Sequence, residues 1–63
     1  MTELHVQIVH RAQEALASLQ AAEEERDLHL AHVHTGELES LARTALEHDL
    51  DVPQLRPFTP ETV

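Results

Sequence analysis

The chain has 63 residues, twelve of them acidic and only four basic, for a formal net charge of −8, and it contains no cysteine. Disulfides and thiolate metal sites are therefore excluded, and nucleic acid or an anionic membrane surface would be repelled rather than bound. A single domain of this size buries only about 60% of the surface of its unfolded chain, so self-association or a histidine/carboxylate metal is the expected aid to stability.

The N-terminus MTELHVQ has no basic region followed by an apolar core, and no apolar run reaches the length of a membrane span. The expectation is a cytoplasmic protein. Lysine, asparagine, tyrosine and tryptophan are absent while alanine, leucine, glutamate, histidine and arginine abound, a bias that fits a GC-rich bacterial genome.

Residues 3 to 34 lack glycine and proline and are rich in strong helix formers. Thr2 is placed to cap a helix, and Glu3 suits its first turn. At 100° per residue, Leu4, Ile8, Ala12, Ala15, Leu19, Leu30 and Val33 fall on one stripe roughly 80° wide, with Leu16 on its edge. This reads as one long amphipathic helix, about 3–34.

A second stripe comprises Leu38, Leu41, Ala42, Ala45, Leu46 and Asp49. Continued along an unbroken helix, it would sit about 100° around from the first. A bend at Thr35-Gly36 resolves the mismatch, with Gly36 permitting the turn and Thr35 capping a second, shorter helix over about 37–48. One continuous helix with a glycine in its middle is the alternative. Beyond it, Pro53 keeps Val52 out of the helical region. Leu50, Val52, Leu55 and Phe58 then alternate with polar residues, so 53–63 reads as an extended or disordered tail whose apolar side chains contact the helices or a neighbour. The expected fold is all-α: a helical hairpin over 1–52, then the tail.

The unequal helices, about 48 Å against about 20 Å, leave the N-terminal half of the long one uncovered. A second copy fills that gap, giving a homodimeric four-helix bundle. Its interface would comprise Leu4, Ile8, Ala12, Ala15, Leu16, Leu19, Glu23, Arg26, Leu30 and Val33. Glu23 and Arg26 interrupt the seam. They either splay into solvent or form a cross-chain pair that fixes register.

The histidines raise the question of a metal. On one continuous helix Glu25, His29 and His32 share a face at i, i+4 and i+7, a donor set suited to zinc, nickel or copper. The zincin pattern H-E-x-x-H is absent, and so is the Glu-x-x-His pair of di-iron bundles. A solvated polar face is the plainer reading. Protonating all six histidines would carry the formal charge from −8 to −2, so acid should alter solubility or association.

Catalysis has no support. Ser18 and Ser40 have no evident base, and neither a nucleophile elbow nor a glycine-rich phosphate loop is present. A helix-turn-helix DNA reader is disfavoured because Glu37, Glu39, Glu47 and Asp49 outnumber Arg43 in the second helix. The leading expectation is a non-enzymatic, self-associating interaction, regulatory or structural subunit, with a basic protein partner compatible with its charge. A metal-binding bundle is the alternative.

Overall fold

A computed structural model describes residues 2–59. Helix α1 spans Glu3–Glu24, helix α2 spans Leu28–Glu47, and a 3-10 turn spans Pro53–Phe58. The described residues contain no strand. The two helices pack as a hairpin and the 3-10 turn rests against both. The result is a flat slab, 34 × 29 × 14 Å across its Cα atoms.

α1 starts where expected, with the Thr2 hydroxyl accepting from the His5 N–H at 3.1 Å. It ends ten residues earlier than expected. The Asp27 N–H reaches back to the Ala22 carbonyl at 2.9 Å and the Arg26 N–H to that of Glu23 at 3.1 Å. These are the two bonds of a Schellman termination, and Arg26 supplies its left-handed residue with φ 57°. Asp27 at once caps α2, its carboxylate accepting from the Leu30 N–H at 3.0 Å.

The bend therefore lies at Glu25–Asp27, and the expected bend at Thr35-Gly36 is corrected. Both residues lie inside α2. The Thr35 hydroxyl donates to the Ala31 carbonyl at 2.8 Å, one turn back in the same helix, and so caps nothing. A Cβ at Gly36 would meet nothing within 4 Å. The helix merely tolerates this glycine, at a propensity cost of about 1 kcal/mol. With 22 and 20 residues the helices are nearly equal, so the overhang that called for a second chain is gone.

The core is one cluster of Ile8, Ala12 and Ala15 from α1, Leu38, Ala42 and Ala45 from α2, and Val52 and Leu55 from the C-terminal segment. Alanine at four of the six helical positions keeps the seam thin, so the two backbones can pack closely. α2 closes with the same device as α1. Asp49 has φ 55°, its N–H bonds the Leu46 carbonyl at 3.1 Å, and the Leu50 N–H bonds that of Ala45 at 2.8 Å. This turn sends the chain back over the helix pair.

The extended tail is also corrected. Pro53, at the first position of the 3-10 turn, supplies a preset φ, and its missing N–H needs no partner there. The Leu55 N–H bonds the Val52 carbonyl at 2.9 Å. The Thr59 hydroxyl closes the segment on the Leu55 carbonyl at 2.9 Å, and Arg56 lies 3.2 Å from the Asp51 carboxylate in an exposed pair. Val52 and Leu55 are buried, and Leu50 and Phe58 pack against the cluster. These four apolar residues serve the chain's own core. The part of the expected tail at residues 60–63 lies outside the described residues.

Candidate functional site: the turn end of the hairpin

The packing is uneven along the slab. Where the chain termini of the two helices meet the C-terminal segment, apolar side chains from three elements converge. At the turn end, Ala22 is buried but belongs to no larger cluster. The first turns of α2 there hold Leu28 at 84% exposure, Leu30 at 40% and Val33 at 41%. These side chains have no third element to cover them.

The ten residues expected to form a chain-to-chain seam divide accordingly. Ile8, Ala12 and Ala15 are consumed inside the hairpin, and Leu4, Leu16 and Leu19 are partly buried against the same cluster. Glu23 and Arg26 are exposed beside the turn. Leu30 and Val33 belong to α2, not to the first helix, and remain on the surface. With Leu41 they recur at i, i+3 and i+11, close to the heptad-like spacing of one helical flank.

Between the turn and α2 lies a notch of about 460 Å³ lined by Ala22, Glu23, Arg26, Asp27, Leu28 and Ala31. Its floor is apolar and its rim charged. A second and more polar groove runs between the helices past Arg11, Glu14, Ser18, Glu37 and Ser40. Both serines are at exposed helical positions.

The expected metal set is taken apart by the position of the turn. Glu25 is the C-cap of α1, whereas His29 and His32 lie in α2, so the three share no helix face. Among the described residues no group of three histidine, aspartate or glutamate side chains is placed to hold a metal ion. The histidines that do have carboxylate neighbours are others. His10 Nε2 lies 2.9 Å from Glu14 one turn on, and His34 Nδ1 lies 3.3 Å from Glu37. The His34 nitrogen is shielded from solvent and lacks hydrogen-bond geometry to any partner. Its approach to Glu37 is therefore an electrostatic contact, effective when the ring is protonated.

Sequence reasoning missed Leu28, the most exposed of the large apolar residues. Its signal was available: at 100° per residue Leu28 shares the azimuth of Leu46, at the edge of the second stripe, and it directly follows the run EEERD. Among the described residues no helix is long and apolar enough to cross a membrane. No protein-family model, no curated protein and no solved structure matches the chain.

Proposed function

We propose that this chain is a small acidic helical subunit that works through protein–protein contact, and that it associates with a second copy of itself. The observation that carries this reading is the exposure of Leu30 and Val33 on the flank that also bears the half-buried Leu41. A pair of helices is a single layer, and stable domains bury each apolar face against a second layer. Here the C-terminal segment provides that layer for part of the slab only. Two hairpins stacked through the Leu30–Val33–Leu41 flank would form a four-helix arrangement, with both turn ends completed by the partner.

This geometry differs from the one expected from unequal helices, because Ile8, Ala12 and Ala15 now hold each hairpin together. The role is that of a regulatory or structural subunit, with the dimer as its working unit. Light scattering on a sizing column at neutral pH tests it. The wild-type chain should run at the mass of a dimer or a larger assembly, and the Leu30→Gln/Val33→Gln double variant should run at 7.1 kDa. A well-folded wild-type monomer at high concentration would overturn the proposal.

A further inference from the structure

We infer that two copies of the chain meet antiparallel along α2, with Leu30 of each resting on Leu41 of the other. This rests on the reading of the chain as a self-associating subunit, and it gives that contact an orientation and a register.

The composition of the bare face selects the helix. The groove between α1 and α2 is walled on the α1 side by Arg11, Glu14 and Ser18, and on the α2 side by Glu37, Ser40 and Leu41. No residue of the C-terminal segment lines it. Leu30, Glu37 and Leu41 recur at i, i+7 and i+11 on one flank of α2, so the exposed Leu30 and Val33 extend the α2 wall toward the turn. The apolar surface of this face thus belongs to α2, and the α1 wall beside it is polar. A twofold dimer presents the same patch from both subunits. An apolar contact on this face therefore sets α2 against α2.

Two directions remain, parallel and antiparallel, and charge decides between them. In the parallel arrangement each residue faces its own counterpart. Glu37 would then oppose Glu37, and the two acidic turns, each with Glu23, Glu24, Glu25 and Asp27 against Arg26 alone, would lie side by side. In the antiparallel arrangement each residue faces the one equally far beyond the twofold axis. Pairing Leu30 with Leu41 puts that axis midway between His34 and Glu37. The same axis sets His34 of each chain opposite Glu37 of the other, because the two pairs share one midpoint in the sequence. Both side chains keep exposed surface, 22% for His34 and 53% for Glu37. An imidazole can donate to a carboxylate in either protonation state. The acidic turns then lie at opposite ends of the dimer.

The test exploits the absence of cysteine from the chain. Single-cysteine variants are treated with a short bis-maleimide at concentrations where sedimentation shows them to be dimeric, and circular dichroism confirms the helical fold. Position 37 lies beside the axis, so Glu37→Cys should crosslink to its own copy. Leu30→Cys should not, because its two copies stand eleven residues apart along the helices, about 17 Å. An equimolar mixture of Leu30→Cys with Leu41→Cys should crosslink, and Leu41→Cys alone should not. Crosslinking of Leu30→Cys to itself would establish the parallel dimer and overturn the inference. A dimer in which Glu37→Cys fails to crosslink would overturn it too, since α2 would then not face α2. A wild-type chain that stays monomeric removes the self-association reading and this inference with it. A wild-type dimer with the wrong crosslinks removes only the orientation.

Discussion

Arg26 and Asp49 adopt the same backbone conformation, with φ of 57° and 55°, each one residue past the cap of a helix. The hydrogen bonds around them match as well: each donates to the carbonyl three residues back, and the residue after each donates to the carbonyl five back. In this left-handed region a side chain crowds its own backbone by about 1–2 kcal/mol, and glycine does not. Arg26→Gly and Asp49→Gly should therefore each stabilise the fold, by about 0.5–1 kcal/mol after the greater freedom of glycine in the unfolded chain is counted. Aspartate tolerates this region better than arginine, so Arg26→Gly should gain more. Urea midpoints at moderate salt check the sign and the order.

Gly36, the chain's one glycine, sits in the middle of α2, where its freedom is not needed. Since a Cβ there meets nothing, Gly36→Ala should raise stability by about 0.5–1 kcal/mol. A bend at this position would make the same substitution destabilising, so one urea titration distinguishes the two backbone paths.

Misplacing the bend shows what the sequence made legible. The Thr2 start, the end of α2 near residue 48 and the core positions Ile8, Ala12, Ala15, Leu38, Ala42 and Ala45 all follow from periodicity and capping, and the structure has them. The 100° offset between the stripes correctly requires a break. Its place was hidden because Leu30 and Val33 fall by coincidence on the extension of the α1 stripe, although they start α2 on its exposed side. The polar gap at Glu23 and Arg26, read as a layer in a seam, is the helix end itself. Glycine is the usual marker of such an end, and here arginine stands in its place. The sequence carries no local sign that arginine will take a positive φ; only tertiary packing of the two alanine-rich faces selects it. The candidate site was obscured for the same reason, since the turn that exposes Leu28 was placed elsewhere.

Capping supplies a further test of the turn. Asp27→Ala removes the side-chain acceptor of the Leu30 N–H and a negative charge at the positive end of α2. A loss of about 1 kcal/mol is expected. Thr35→Ala removes only a bond back to Ala31 within the helix and should change stability by less than about 0.5 kcal/mol. If Thr35→Ala proved the costlier change, the cap assignment would fall.

The C-terminal segment contributes to the core through Leu55, 1% exposed, much as α2 does through Leu38, which is fully buried. Truncating either to alanine leaves a cavity and should cost about 2–5 kcal/mol. Against a total stability of only about 5 kcal/mol for a domain this small, Leu38→Ala should leave a large unfolded fraction at 25 °C by circular dichroism. Leu55→Ala should do the same if the segment is integral to the fold. Wild-type stability in that variant would mean the 3-10 turn is only loosely applied to the helices.

Self-association should strengthen in mild acid. Two copies at a formal charge of −8 repel each other, and histidine as a residue type gains its proton between pH 8 and pH 5. Each proton taken up lowers the repulsion, so the dimer constant should tighten as pH falls from 7.5 to about 5.5. Salt provides the control: at about 1 M the Debye length is about 3 Å, and the long-range part of the pH effect should shrink. Sedimentation equilibrium across both variables reads the result. A dimer that weakens in acid would mean that charged histidines oppose each other across the contact, and the Leu30–Val33–Leu41 flank, with His34 at its edge, would no longer be the surface to assign.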